Sequence, residues 1–495
     1  MKRYENIIIE SFKRNPEQSI SELSFHTSIA KRTLNRYINS LISKGFIQAE
    51  GEGRGRYYKL LKNIEYFDKV AVIKSGRLVG YLSFDEGRYG FEYDKEYKYK
   101  VLDGLEKDKK STSFSLFAIF ENLIPESARR DLYLKENKNL LKILLNLDNT
   151  HGDFEFVEVD KIAKYKKSYK NRPNWVEIKD KILDEFKFFN ILDFKIDIED
   201  EILEDIGKHS SLSGYQNKID IDIDFENRLV MQSKDPKYLL KPYNPLTSIY
   251  DFKDKEQIYL PYMGLNEHLF MSFAKNAYGF DVPWSAVIAG KSDFHYLVKR
   301  YDRYDSYRYE QRDFAQIIGI KSDQKYFSTS EKLFDAIAKV VKSKDARLKF
   351  LEFYIFSFMI EHADLHLKNI SIINIGKDRY RLSPLYDLIS NGIYRGDRDE
   401  LGLPLAGKRH NILVDDFFDI ASRVGISKLQ TKKSIKRIVD IFVEEFPKYI
   451  DLSKDIKLYD KLKINEGRYS FSSFSKHLER FYFRRVESLR KRGFI

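Results

Sequence analysis

Cysteine is absent from this 495-residue chain. Its absence excludes disulfide frameworks, thiolate zinc sites and cysteine nucleophiles, and it fits a reducing compartment. Long apolar runs are also missing. Only three consecutive apolar residues precede Glu10, too few for a secretion signal, and no uncharged stretch reaches the roughly 18 residues needed to span a bilayer. We therefore expect a cytoplasmic protein with no membrane partner.

The composition favours a folded protein of several domains. Hydrophobic residues make up 42% and charged residues 33% of the chain, which excludes intrinsic disorder. At about 100–200 residues per domain, two to four domains are expected. The net charge of +12 is uneven, because residues 1–62 hold 12 Lys and Arg against 6 Asp and Glu. A polyanion is therefore expected to meet this end of the chain.

The first 62 residues show the pattern of a winged helix-turn-helix. Residues 19–47 contain two helical patterns joined by a turn at Thr27 and Ser28, and either residue would cap the second helix. The strand FIQAE, the glycine-rich turn GEGRGR and the strand YYKLL follow, which is the layout of a wing. We predict a winged helix-turn-helix domain over residues 1–62.

Basic and amide side chains mark the two parts of this domain that would meet DNA. In such domains the second helix enters the major groove, and the wing touches the backbone. The alternative is a domain that contacts only protein, with these side chains forming a solvated face. The residues predicted to bind duplex DNA are Lys31, Arg32, Asn35 and Arg36 on the helix and Arg54 and Arg56 in the wing.

A carboxylate, an amide and a second carboxylate follow one another in the last third of the chain. Asp364 precedes Asn369 by five positions, and two β-rich runs joined by a turn lead to Asp387. This is the order of a kinase catalytic loop and metal-binding segment. Phosphoryl transfer needs one carboxylate that accepts the proton of the attacking hydroxyl, and an amide oxygen and a carboxylate that hold Mg²⁺. Asp364 is the predicted base, and Asn369 and Asp387 are the predicted magnesium ligands.

Two other interpretations fit the catalytic segment taken alone. His362 and His366 are four residues apart and could bind a metal, but no HExxH pattern is present. The segment HADLHLKN could also be a polar surface turn. The downstream Asp387 and the elements upstream of the segment disfavour both.

A lysine-bearing strand lies upstream. Lys241 ends the strand YLLK, after the serine-rich loop SSLSGYQ that contains Gly214. Kinases hold the ATP phosphates with such a lysine, although one glycine is a weak signal and an ordinary hairpin also fits. Glu267 begins a predicted helix and could pair with Lys241. The alternative is an exposed first-turn glutamate favoured by the helix dipole.

Taken together, these motifs resemble the HipA-type serine/threonine kinase toxins of bacterial toxin–antitoxin systems. The resemblance runs from about residue 65 to near the C-terminus, through GRLVGYLSF, ENLIPESARR, SSLSGYQNK, YLLKP, NEHLFMSFAKNAYGFDVP, YLVKRYDR, HADLHLKN, SPLYDL and LGLPLAGK. It implies an α+β, kinase-type bilobal fold behind the winged helix. The implied parts are a family N-subdomain over 63–160, a kinase N-lobe over 161–298 and a mainly helical C-lobe over 299–495.

The resemblance also implies residue roles around ATP. Lys241 corresponds to the lysine that holds the ATP phosphates, and Asp364, Asn369 and Asp387 to the base and magnesium ligands. Lys299 occupies a linker position at which the family has an acidic residue, so the resemblance implies only backbone contacts to adenine there. The remaining implied roles are ATP binding by Ser213, Gly214, Lys299, Tyr301 and His366, and autophosphorylation of Ser211 or Ser210.

The implied cofactors are ATP and Mg²⁺, and the implied partner is a protein substrate such as an aminoacyl-tRNA synthetase or another translation factor. Typical members rely on a separate DNA-binding antitoxin. Here a winged helix is fused in front, so either a separate antitoxin protein exists or the fused domain replaces it. Two rival functions remain open: a DNA-binding regulator with a catalytically silent kinase fold, and a small-molecule kinase. Residues 161–206 match no family motif.

Overall fold

A computed structural model gives the architecture of most of the chain. The described residues are 3–43, 46–61, 69–85, 87–124, 140–147, 149–165, 167–186, 190–198, 218–243, 248–251, 256–259, 261–290, 293–394, 399–456 and 473–495. Within them, the α-helices are α1 Arg3–Arg14, α2 Ile20–Thr27, α3 Lys31–Ser43, α4 Ala118–Glu121, α5 Leu140–Leu145, α6 Trp175–Leu183, α7 Met263–Asn276, α8 Phe314–Ile318, α9 Ser330–Val340, α10 Lys344–Met359, α11 Asp416–Arg423, α12 Lys428–Leu452 and α13 Phe474–Lys491.

The strands form six sheets. In chain order they are β1 Glu17–Ser19, β2 Ile47–Glu50, β3 Tyr57–Leu60, β4 Lys69–Lys74, β5 Arg77–Asp85, β6 Arg88–Tyr93, β7 Ser111–Ser113, β8 Phe154–Glu158, β9 Ile191–Leu192, β10 Lys195–Asp197, β11 Ile219–Asp224, β12 Leu229–Gln232, β13 Tyr238–Lys241, β14 Ser248–Asp251, β15 Glu256–Tyr259, β16 Ser285–Ala289, β17 Phe294–Lys299, β18 Arg303–Tyr304, β19 Tyr307–Arg308, β20 Gln311–Asp313, β21 Ser371–Asn374 and β22 Tyr380–Leu382. Short 3₁₀ turns include Ser322–Gln324 and Leu367–Asn369.

The N-terminal unit packs α1, α2 and α3 against a small antiparallel sheet of order β1-β3-β2. Ser19 caps α2, because its hydroxyl accepts from the Glu22 amide and the Glu22 carboxylate accepts from the Ser19 amide. The predicted capping of α3 by Thr27 or Ser28 is wrong. Thr27 donates its hydroxyl to the Leu23 carbonyl, and Ser28 ends α2 in the left-handed conformation at φ 56°.

The next unit is a five-stranded antiparallel sheet of order β7-β6-β5-β4-β8. Strands β4 and β5 form a hairpin from two apolar runs around the turn SGR, with Lys74 opposite Arg77. One side of the sheet packs on α4 and α5 through an apolar core that includes Val72, Phe91 and Phe120. This unit is therefore a small α+β subdomain.

The remaining chain forms two lobes around one continuous apolar core. The first is a seven-stranded sheet of order β10-β12-β11-β13-β17-β16-β9, on which α7 packs against β16 and β17. The second is mainly helical, with α10 and α12 at its centre, and carries the small antiparallel sheet β20-β21-β22. No helix in the described part of the chain is both long and apolar enough to cross a membrane.

Candidate active site

Strand β13 and helix α7 bring a lysine and a glutamate together between the lobes. Lys241 ends β13, and its Nζ lies 2.8 Å from Oε1 and 2.9 Å from Oε2 of Glu267. Glu267 is 2% exposed, so it is not the solvated first-turn residue of the alternative interpretation. Burial, reinforced by the nearby Asp387 charge, raises the pKa of Glu267 to about 7. The pair is a buried charge cluster at the sheet–helix junction.

Asp387 joins this cluster from the other lobe. Its Oδ1 accepts a hydrogen bond from Lys241, and its Oδ2 lies 3.5 Å from the Nζ of Lys218. Burial alone would raise the pKa of the Asp387 carboxyl, but Lys218 and Lys241 hold it well below its usual range. Asp387 is therefore ionised and ready to ligate a cation. Lys218 opens β11 and was not singled out by sequence reasoning, although it lies inside the motif SSLSGYQNK.

The backbone at Asp387 is left-handed. Its φ is 51°, in a region that Gly, Asn and Asp adopt more readily than other residues. In this conformation the Asp387 carboxylate accepts a hydrogen bond from Lys241.

The predicted catalytic loop lies between α10 and β21. The Asn369 amide nitrogen donates to the backbone carbonyl of Asp364 at 3.1 Å, and the Asn369 backbone N–H donates to the His366 carbonyl at 2.9 Å. These bonds close the five-residue spacing into a compact loop. Because the amide nitrogen is used, the Asn369 side-chain oxygen is the atom that faces a metal.

Tyr326 reaches the predicted base. It follows the turn Ser322–Gln324, and its hydroxyl donates to Oδ1 of Asp364. The Tyr326 ring packs edge-on against the His366 imidazole with centroids 5.0 Å apart. Sequence reasoning missed Tyr326, because nothing in the irregular segment KSDQKYFSTS marks it.

The motif LGLPLAGK lies against this loop. A Cβ on Gly402 would come within 2.5 Å of the Leu365 carbonyl oxygen and 2.8 Å of the Ala363 carbonyl oxygen, so only glycine fits beside the loop backbone. His362 pairs with Leu401 in an isolated bridge and is fully buried, and burial lowers its pKa to about 4. The motif thus has a packing role.

A buried arginine supports the start of the loop. Arg485 on α13 is 0% exposed and forms an ion pair with Glu361 at 3.4 Å and a second ion pair with Glu400. Its Nε donates to the Met359 carbonyl at 3.2 Å. The end of α10 is thereby fixed to the C-terminal helix, which determines where the catalytic loop begins.

Lys299 and Tyr301, predicted to meet adenine, lie in the segment that links the lobes. The Nζ of Lys299 donates to the Lys181 carbonyl at 2.8 Å and pairs with Asp184, at the end of α6. The carbonyl of Tyr301 accepts from the Trp175 indole at 3.0 Å. Both residues are thus engaged with α6 and the loop that follows it, from the 161–206 stretch that matched no motif. Adenine contact by either stays a prediction.

Two arginines of YLVKRYDR fix the linking segment to the small α+β subdomain. Arg300 and Arg303 both pair with Asp302, at 3.1 Å and 2.8 Å. Arg300 also donates to the Thr150 carbonyl at 3.1 Å, and the Gly152 amide donates to Asp302 at 2.8 Å. Burial alone would raise the pKa of Asp302, but the two arginines hold it well below its usual range. We call these five residues the interdomain network.

Four predicted residues lie outside the described part of the chain: Ser210, Ser211, Ser213 and Gly214. Their roles in the phosphate loop and in autophosphorylation stay predictions.

The predicted DNA-binding side chains lie on the outer surface of the N-terminal unit. Lys31, Arg32, Asn35 and Arg36 are exposed on α3, on the face opposite the buried Leu34 and Ile38. Arg56 is also exposed, whereas the Arg54 side chain lies outside the described part of the structure. The arrangement leaves one polar helix face open, and its DNA contact stays a prediction.

The residues at the cleft fit a magnesium ion bound with ATP. Mg²⁺ prefers oxygen ligands and is usually held by one or two carboxylates together with substrate phosphates and water. Asp387 offers an ionised carboxylate, and Asn369 an amide oxygen. Across the described ranges, no group of three or more His, Cys, Asp or Glu side chains is arranged to hold a metal. Magnesium binding by Asn369 and Asp387 stays a prediction.

Comparisons with known proteins agree with this geometry. Residues 210–449 match the family model described as the HipA-like C-terminal domain. Two curated proteins of Sinorhizobium fredii, named as presumed kinases Y4mE and Y4dM, are each 27% identical. The matches cover 52% and 36% of this chain, and 61% and 46% of the relatives. The chain thus spans less than two thirds of the length of either relative.

A solved structure shows the same fold. It is the Shewanella oneidensis complex of the toxin–antitoxin proteins HipA and HipB with operator DNA, and the matching chain is 16% identical with a TM-score of 0.58. The match covers 85% of this chain and 97% of the Shewanella chain. The similarity confirms the predicted α+β bilobal fold.

Proposed function

We propose, from the match of residues 210–449 to the HipA-like C-terminal domain, that the chain is an ATP- and Mg²⁺-dependent serine/threonine protein kinase that acts as a growth-inhibiting toxin. The observation that carries the proposal is the assembled cleft, in which Lys241, Glu267 and Asp387 meet across the two lobes. A fold that had lost its chemistry would have no reason to keep the buried Lys241 and Glu267 in contact with the half-buried Asp387. The silent-kinase alternative is therefore disfavoured.

Asp364 accepts the proton of the substrate hydroxyl. One of its oxygens accepts a hydrogen bond from the Tyr326 hydroxyl, which orients the carboxylate for the incoming serine or threonine. Asn369 stabilises the loop through the hydrogen bond that its side-chain amide donates to the Asp364 carbonyl. The base is thus oriented before the substrate arrives, as general base catalysis requires.

Lys241 exchanges partners when the nucleotide binds. It contacts both Glu267 and Asp387 in the structure, while ATP phosphates need a cation and Mg²⁺ needs the Asp387 carboxylate. When bound, the ion neutralises charge that develops on the transferred phosphoryl group. Asp387 and Asn369 would hold the ion, and Glu267 would keep Lys241 in place beside the phosphates.

The Ser/Thr specificity is tested on the protein itself. Incubation of the full chain with labelled ATP and Mg²⁺, followed by peptide mass spectrometry, should place phosphate on Ser211 or Ser210 if the chain autophosphorylates. Adding candidate translation factors, including aminoacyl-tRNA synthetases, tests the protein substrate. Transfer to small hydroxyl compounds alone would replace the proposal by a small-molecule kinase.

We also propose that the N-terminal unit binds duplex DNA, most plausibly the promoter of its own gene. The support is the open face of α3, with its exposed Lys31, Arg32, Asn35 and Arg36, together with Arg56. The Shewanella relative was solved with HipB and operator DNA, so a separate antitoxin is the second partner to test. Fluorescence anisotropy with promoter DNA, with and without a co-expressed neighbouring protein, separates the two arrangements.

A further inference from the structure

A second cavity lies away from the cleft and belongs to none of the sites described above. It encloses about 370 Å³ and is bounded by five separate parts of the chain. These are the β4–β5 turn, the segment 97–102, the segment 169–175 that leads into α6, residues 309–312, and the β21–β22 turn. We call it the basic cavity. Its volume falls in the range of about 300–1,000 Å³ typical of small-molecule sites.

Cations outnumber carboxylates around the basic cavity. Among the described residues, only two carboxylates, Glu310 and Asp378, line it. Glu310 is already used, because it pairs with Lys74 at 2.9 Å and accepts from the Tyr380 hydroxyl at 3.0 Å. Two of the lining cations, Lys74 and Arg312, also pair with Asp153 and Asp103 behind the wall. The lining cations without a carboxylate partner in the described part of the chain are Arg77, Lys100, Arg172 and Lys377.

Two observations show that the excess is local. Lys100 and Arg312 both lie 4.7 Å from the centre of the Tyr380 ring, so two like charges approach the same side chain. Arg312 is 3% exposed and pairs with Asp103 and with Glu310 at 3.3 Å. Within the described part of the chain, by contrast, neither Lys100 nor Arg77 forms an ion pair with a carboxylate.

Aromatic rings form the other part of the wall. The rings of Tyr97 and Tyr99 are 5.6 Å apart, and Tyr99 is 50% exposed. The Arg77 guanidinium lies 4.4 Å from the centre of the Tyr99 ring. A flat, cation-backed and half-exposed ring is a surface on which a planar heterocycle stacks, at about 1–3 kcal/mol per base.

We propose that the basic cavity binds a free nucleotide, with its phosphate at Lys100 and Arg312 and its base on Tyr99. A phosphate supplies the anion that Lys100 lacks, and a planar base stacks on the exposed ring. The cavity shares no residue with the Lys241 cluster. The site therefore does not depend on kinase activity.

The decisive experiment locates the ligand and measures its affinity on the full-length chain. Photolabelling with 8-azidoadenosine 5′-monophosphate, followed by peptide mapping, should modify the peptide that carries Tyr97 and Tyr99 in addition to any kinase-cleft peptide. Adding 5′-GMP, 5′-CMP or 5′-UMP as competitors shows which base is preferred. Label confined to the cleft peptides, or label on the Tyr97–Tyr99 peptide that no unlabelled nucleotide displaces at millimolar concentration, overturns the proposal.

Three variants test the assigned contacts. Lys100→Ala and Arg77→Ala should each weaken nucleotide binding at the cavity at least tenfold. Lys107→Ala removes an exposed lysine outside the cavity and should leave it unchanged. Autophosphorylation should proceed at the wild-type rate in all three.

Two further outcomes would contradict the proposal. One is equal affinity in the cavity variants and Lys107→Ala. The other is inorganic phosphate binding as tightly as every nucleotide, which would mean that Tyr99 contributes nothing. A single-stranded oligonucleotide that binds while all mononucleotides fail would also replace the free-nucleotide proposal.

Discussion

The kinase cleft and the basic cavity differ in whether the lysines Lys241 and Lys100 have carboxylate partners. In the cleft, Lys241 already has two carboxylate partners, Glu267 and Asp387. In the cavity, Lys100 and Arg312 lie near one ring, and Lys100 has no carboxylate partner in the described part of the chain. A site whose cations already have carboxylate partners binds a ligand only when those ion pairs are exchanged. A site whose cation has no carboxylate partner attracts an anion of the right size directly.

The largest effect should come from the carboxylates of the cleft. Asp364→Ala and Asp387→Asn should each lower phosphoryl transfer by ~10²–10⁴, because one removes the base and the other the charged metal ligand. Asparagine is chosen at 387 because it tolerates the positive φ there. Phosphate incorporation from labelled ATP measures the loss. The exposed Asp378 of the basic cavity is the matched control, and Asp378→Asn should keep full activity. A loss below tenfold in either cleft variant contradicts the assignment.

Acid should destabilise the kinase lobes next most strongly. Burial lowers the pKa of His268 to about 3 and those of His295 and His362 to about 4, whereas no histidine lines the cavity. Because the folded state resists protonation, stability is complete above about pH 6.5 and declines as pH falls toward 4. Each histidine should cost about 1.4 kcal/mol at pH 5.5, or about 4 kcal/mol together.

Urea denaturation at pH 7.5 and pH 5.5 measures this decline. His268→Gln should reduce it by about a third, while His410→Gln, at an exposed position, should leave it unchanged. A free energy of unfolding that does not change between the two pH values would rule out buried, neutral histidines.

A smaller effect is expected for Tyr326→Phe. The hydroxyl stabilises the ionised Asp364, and hydrogen bonds to charged groups contribute about 1.5–3 kcal/mol. We expect kcat to fall about tenfold, with the KM for ATP unchanged and the acid limb of the pH–rate profile shifted upward. Tyr243→Phe, at a tyrosine packed against His295, is the comparison variant. If Tyr326→Phe lowers kcat without moving the pH profile, the contact serves only packing.

The smallest effect should appear at the N-terminal unit, where the predicted DNA contacts are exposed side chains. Arg56→Ala removes one phosphate contact and should flatten the slope of log affinity against log salt by about 0.9. Asn35→Ala should instead relax sequence preference. Anisotropy of the full chain on promoter DNA measures both, with Lys95→Ala as the control. No DNA affinity at low salt would make the unit a protein-contact module.

Local patterns predicted the elements that depend on neighbouring residues. The β4–β5 hairpin follows from two apolar runs around SGR, and the exposed face of α3 follows from helical periodicity. The meeting of Lys241 with Glu267 was also anticipated, because a strand lysine and a helix glutamate are standard parts of a kinase lobe.

Contacts between distant segments could not be predicted from the sequence. Tyr326 reaches Asp364 from an irregular loop 38 residues away, and no periodicity encodes that approach. The basic cavity needs five segments, one of them in a stretch that matched no motif. Tertiary placement decided both of these cases. The capping of α3 failed for a local reason: Ser28 ends the preceding helix in the left-handed conformation, three positions before α3 begins.

The interdomain network also sets the order in which the protein can mature. Thr150 and Gly152 find their partners Arg300 and Asp302 only 150 residues later in the chain. At about 5–20 residues per second, a ribosome needs roughly 8–30 s to add that length. During this interval the Thr150 carbonyl and the Gly152 amide of the small subdomain lack their partners Arg300 and Asp302. Completion of the subdomain is thus tied to synthesis of the segment that joins the kinase lobes.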